Sequence, residues 1–233
     1  LFPALSRFAA RRDTAGFSRT VSLGLRQIGF MLLPASVISA LLAEPIVRLL
    51  YERGAFDARE TEVVAASLAA FSVGLAFNGT MLMLNRAFFS LQLPWIATAV
   101  ALANLALNVA LNAALYRVGI WGIPLATSLV NLAGTAALLW IFRRRVGPLG
   151  GAGIIDAYVR VAIASAVAGG AAFVVWWALD AALGRSLGAQ VVSVGLALAA
   201  SVGVYLLAAR VLRVRELETL LGLLRRSGRT RPA

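Results

Sequence analysis

Asn104, Asn108 and Asn112 follow one another at i, i+4 and i+8, so in a helix they stack on one face. They sit in an apolar run from Pro94 to about Tyr116, and the next run, about Ile120 to Phe142, adds Thr127, Ser128 and Asn131. An unpaired amide in hydrocarbon costs several kcal/mol, so this face is expected to point into a helix bundle or a water-filled cavity. Two chemistries are open to it. It could line the path of a polar ligand, or hold a small cation on amide and carbonyl oxygens. It could equally bond helix to helix, at about 1 kcal/mol per contact. A tight cation site usually wants a carboxylate, and none lies in these two runs.

Gly169 and Gly170, among alanines in a later run, let a neighbouring helix approach closely or leave an open apolar groove for a lipid tail. A third constellation is the segment Glu44–Glu62, which holds five of the ten acidic residues between two apolar runs. Its centre reads Glu52-Arg53-Gly54-Ala55-Phe56-Asp57, and Gly54 permits a reversal that a Cβ would resist. That is a turn where a chain leaves a membrane and re-enters it.

Catalytic chemistry finds little material here. There is no cysteine and no histidine, which removes thiol nucleophiles, zinc ligation and imidazole bases from these residues. There is also no Gly-rich phosphate loop, nucleophile elbow or carboxylate pair placed for acid–base work. No apolar run carries a charge near its centre, although such charges usually mark ion pathways and anionic-substrate sites. A non-enzyme is expected.

The elements that must position these residues are membrane helices. Hydrophobic residues make up 61% and charged residues 14% of the 233, against about 25% charged in an ordinary soluble domain. Six runs long enough to span a bilayer fall at about 27–43, 63–84, 94–116, 120–142, 157–179 and 189–209. The fold class is therefore all-α integral membrane. The divisions are 1–26, the end of a preceding helix and a basic connection; 27–146, four spans; 147–156, a Gly-rich linker; 157–212, two more spans; and 213–233, an amphipathic basic tail. Residues 4–25 read either as a helix on the membrane surface or as a solvated loop. Pro34 falls inside the first span and removes a backbone hydrogen bond.

All 22 basic residues are arginine, giving a net charge of +12. They cluster between apolar runs and form no stripe on a soluble domain, so nucleic acid is not an expected partner. With six spans, seventeen of the 22 fall on the side of both ends, which the positive-inside rule makes cytoplasmic. The opening Leu1-Phe2-Pro3 reads as the tail of an earlier helix, and the chain is expected to be a piece of a longer protein.

Several segments resemble the MurJ (MviN) lipid II flippases of the MOP exporter superfamily. They are Leu1-Phe2-Pro3-Ala4-Leu5-Ser6, Pro45 to Asp57, Arg86-Ala87-Phe88-Phe89, Leu107-Asn108-Val109-Ala110-Leu111-Asn112 and Gly122-Ile123-Pro124-Leu125-Ala126-Thr127-Ser128. They keep the family's order and spacing over most of residues 1–145. The resemblance implies the C-terminal part of a fourteen-helix transporter, with four spans in its second lobe and two additional spans helping to form a groove for a polyprenyl tail. It implies alternating access that carries lipid II to the outer leaflet, with membrane lipids and the missing N-terminal lobe as partners. The family's pyrophosphate-binding arginines would lie mostly outside these residues. No cofactor is implied, though sodium or the membrane potential could couple transport. Where the family often has an acidic residue near a proposed sodium site, this chain has Asn112. Other exported substrates, polysaccharide-lipid or drugs, and a non-transporting scaffold for cell-wall enzymes are the alternatives.

Overall fold

A computed structural model of the chain describes residues 2–54 and 56–218. It consists of helices α1 (Phe2–Ala10), α2 (Thr14–Leu41), α3 (Ala43–Tyr51), α4 (Ala58–Ser90), α5 (Pro94–Leu115), α6 (Gly122–Arg145), α7 (Gly151–Leu183) and α8 (Leu187–Val211). Six of them, α2 and α4–α8, are long and apolar enough to cross a membrane, as the hydropathy pattern requires. No strand occurs among the described residues.

Several boundaries differ from expectation for local reasons. The basic stretch before residue 27 is neither a loop nor a separate surface helix beyond Thr14, but the opening turns of α2. Asp13 caps that helix by accepting from the Gly16 backbone N–H at 2.8 Å. Phe17, Val21 and Leu25, at i, i+4 and i+8, give these turns a buried face despite their arginines. At 28 residues α2 is about 42 Å long and overshoots the hydrocarbon core. Likewise α4 begins five residues before the expected span because Asp57 caps it. The Asp57 carboxylate accepts from the Arg59 and Glu60 N–H groups, and Glu60 returns a bond to the Asp57 N–H. The glycine linker is shorter than expected. Gly147 and Gly150 adopt φ of 122° and 67°, and α7 is already helical from Gly151.

In packing order the helices run α5, α6, α4, α2, α7, α8, with α2 the shared member between the α4–α6 group and the α7–α8 pair. One apolar cluster fills the end where α2, α4 and α6 meet. There Phe142 stacks on Phe17 at 6.2 Å and meets Phe88 edge-on at 6.0 Å. A second joins α2, α7 and α8 through Phe30, Val161, Ala164 and Tyr205. Val214 and Leu217 belong to that cluster, so the start of the expected surface tail is packed against protein. The remaining tail residues, Leu220, Leu221 and Leu224 among them, lie outside the described residues.

Pro34 shows how the spans close their backbone. Proline cannot donate to the carbonyl four residues back, which is that of Phe30. The Tyr205 hydroxyl of α8 donates to that oxygen at 2.6 Å. A neighbouring helix thus supplies the bond that the proline withholds. Tyr205→Phe should lower stability by about 1 kcal/mol, read as a fall in Tm of the purified full-length protein. In a Pro34→Ala background, which restores the backbone donor, the same change should cost clearly less. Equal losses in both backgrounds would refute the substitution of one bond by the other.

Candidate functional site

α5 and α6 form an antiparallel pair whose register is set by Leu115 against Gly122, Asn104 against Gly134 and Trp95 against Arg145. The same register puts Asn108 level with Asn131 and Asn112 level with Thr127. All four are half-buried. The stripe read from the sequence nevertheless divides. Asn104 lies over Gly134, where a Cβ would come within 2.3 Å of its amide nitrogen, and its NH2 group approaches the Met81 sulfur at 3.4 Å. That is a packing role.

Asn108 and Asn112 are joined to each other. The Asn112 NH2 group donates to the Asn108 Oδ1 at 2.8 Å. The Asn112 Oδ1 is buried and has no hydrogen-bond partner among the described residues. An orphaned buried acceptor is costly, so this oxygen suits a donor or a cation supplied from outside these residues. It does not make a cation site by itself. Hard cations are held by several oxygens, usually with a carboxylate, and no cluster of three acidic residues occurs among the described residues. The Thr127 hydroxyl turns back to the Ile123 carbonyl of its own helix at 3.3 Å.

Ser128 separates from this group. Its hydroxyl donates to the Ala70 carbonyl of α4 at 2.7 Å, and Gly74 leaves the room for it. One heptad on, Thr135 repeats the contact by donating to Phe77 O at 2.8 Å. Composition hides Thr135, but its spacing of seven from Ser128 places both on one α6 face. Ser128 and Thr135 fasten α6 to the parallel helix α4.

The two glycines also part company. A Cβ on Gly169 would meet Leu41 at 2.6 Å and Val37 at 2.9 Å, so α2 fills the space. Gly170 faces open space. An apolar cleft of about 450 Å³ lies between α6 and α7, floored by α2 and α4. Leu33, Phe77, Ile155, Val159 and Ala162 line it. At its floor the Tyr158 hydroxyl lies 3.3 Å from the Thr80 hydroxyl and donates to Leu25 O at 3.0 Å.

The charged turn proves to be built for structure. Arg53 donates to Leu49 O at 2.8 Å, the Glu52 carboxylate accepts from the Thr61 hydroxyl at 2.9 Å, and Phe56 leans on Tyr51 at 6.1 Å. Gly54 takes φ of 63° and Asp57 is the cap of α4. The surprise is Arg48. Only 6% exposed, it pairs with Asp180 of α7 at 3.1 Å and Glu44 at 2.6 Å, and lies over the Trp176 ring at 5.6 Å. At the opposite end of the bundle Arg26 of α2 pairs with buried Glu216, and Arg160 donates to Leu212 O at 2.8 Å. The only sequence signal for the Arg48 site is the Glu44–Arg48 spacing of four; Asp180 stands 132 residues away.

Removing one partner of a buried ion pair strands the other charge. Asp180→Ala should therefore destabilise the protein by about 3 kcal/mol. Glu44, which is 57% exposed, should cost no more than about 1 kcal/mol as Glu44→Ala. Urea or thermal unfolding of the two variants checks the order, and equal effects would place Arg48 in water.

Comparison with known proteins bears on these residues directly. The sequence profile of the family described as lipid II flippase MurJ matches residues 1–180. The probable lipid II flippase MurJ of Synechocystis sp. (strain ATCC 27184 / PCC 6803 / Kazusa) is 34% identical over 178 residues, covering 75% of this chain and 33% of that protein. That of Thermotoga maritima is 30% identical over 196 residues, covering 82% of this chain and 37% of that one. The solved structure of a lipid II flippase MurJ in an inward closed conformation matches with a TM-score of 0.64 at 22% identity, over 89% of this chain and 41% of that one. At that identity the likeness is one of fold. The chain spans about a third of the length of these two curated relatives. The profile takes in α1 to most of α7, with the charged turn and the amide pair inside it, and on that extent the chain belongs to the MurJ lipid II flippase family.

Proposed function

We propose that this multi-pass membrane chain is part of a lipid II flippase, and that the longer protein moves the lipid-linked peptidoglycan precursor from the inner to the outer leaflet of the bacterial inner membrane by alternating access. The profile match over residues 1–180 carries the reading. The geometry agrees with the physical demands of that work. A polyprenyl tail needs a dry lane, and the α6–α7 cleft offers an apolar one. A polar head group needs donors and acceptors away from lipid, and the Asn108–Asn112 pair presents one unsatisfied oxygen. Moving a lipid across a bilayer makes and breaks no covalent bond, so the absence of His and Cys from these residues is no obstacle.

In this reading α2–α6 belong to the second lobe, α7 and α8 are the additional spans, and both ends face the cytoplasm, on the side that holds seventeen of the 22 arginines. The N-terminal lobe of the longer chain would supply most of the charge for the pyrophosphate. Asn112 Oδ1 would contribute one oxygen to a substrate donor or a coupling sodium ion, the other oxygens coming from elsewhere in the longer chain.

The test is complementation by the full-length gene in cells depleted of their own lipid II flippase, scored by lipid II reaching the outer leaflet. Rescue is expected, and Asn108→Leu should reduce the transport rate at unchanged membrane expression. Ser128→Ala, which removes a bond between helices, should leave the rate near wild type. Failure of the expressed wild-type protein to rescue would overturn the assignment of lipid II as cargo.

A further inference from the structure

A second cleft, of about 380 Å³, runs between the start of α5 and the end of α6. Its walls are Ala99, Ala103 and Ile141, and its mouth is formed by Trp95, Trp140, Arg144 and Arg145. Arg145 reaches across from α6 to lie 5.3 Å from the Trp95 ring centre, and Arg144 lies 4.2 Å from that of Trp140. Neither guanidinium has a carboxylate partner among the described residues. Stacking on an indole orients a guanidinium while leaving its N–H edge available. The α5 N-terminus lies at the same mouth, and Leu93 gives it no side-chain cap, so the positive end of the helix adds to the field. Tryptophan and arginine at one level also mark the membrane–water interface.

The geometry points to a seat for an anionic glycerophospholipid. Its phosphate would sit on the Arg144 and Arg145 guanidinium edges, with the two indoles flanking the glycerol region and one acyl chain lying along Ala99, Ala103 and Ile141. The charge at one end and the dry wall along the rest match an amphiphile held edge-on. A soluble anion would leave that wall bare. Phosphatidylglycerol, which carries one net negative charge, is the simplest lipid of this class.

The proposal is tested with the full-length protein in phosphatidylcholine vesicles, using spin-labelled phosphatidylglycerol and spin-labelled phosphatidylcholine as probes. The wild type should immobilise the anionic probe preferentially. Arg144→Gln together with Arg145→Gln should cut that preference by roughly five-fold per arginine. Trp95→Leu together with Trp140→Leu, which keeps the charge and removes the flanking rings, should also lower it. Arg117→Gln, at the other end of α5, should leave it unchanged. Equal immobilisation of both probes by the wild type would overturn the seat, and so would a full preference in either double variant.

Discussion

Inside a bilayer a backbone carbonyl or a side-chain hydroxyl has no water to turn to, and this constraint shapes the whole bundle. Its solution here is repeated: a hydroxyl of one helix donates to a main-chain oxygen of the next. Tyr205 serves Phe30, Tyr158 serves Leu25, Ser128 serves Ala70 and Thr135 serves Phe77. Two of these bonds hold α7 and α8 to α2, and two hold α6 to α4. Each also removes a polar group that would otherwise face hydrocarbon. Glycine assists where approach must be closest, as at Gly74 beneath Ser128 and Gly29 beneath the Tyr158 ring.

The spans were legible because hydropathy over a bilayer thickness is a strong, local signal. Pro34 was legible as a missing bond, but not its remedy, since Tyr205 lies 175 residues from Phe30. The charged turn was legible as a turn, and its residues do cap and brace it. The asparagine stripe was legible as a face, yet a face does not say which neighbour it meets. Asn104 met Gly134 and became packing, while Asn108 and Asn112 found each other. Gly169 and Gly170, adjacent in sequence, lie on different sides of α7, and only the first meets a helix. The Arg48–Asp180 pair could not be read at all, because no periodicity links residues so far apart.

The same division holds for the two glycines, for which close packing and an open groove are both open in the sequence. Small residues create room only if nothing enters it, and α2 enters it at Gly169. A separate apolar cleft lies between α6 and α7 over α2 and α4. Its position follows from the packing order of six helices.

The two ion pairs at opposite ends of the bundle carry a mechanical consequence. Arg48 follows directly on α2 in α3 and grips Asp180 near the end of α7, while Arg26 within α2 grips Glu216 beyond α8. Between these two ion pairs the Tyr158 and Tyr205 hydroxyls add bonds to Leu25 O and Phe30 O, so α7 and α8 are held to α2 and α3 at four places along the bundle. Static contacts of this kind tie the outer pair to α2 more closely than to α6, with which it shares the apolar cleft. The α6–α7 cleft is the place along this chain of packed helices where two neighbours in space share a cavity without a bond across it among those described.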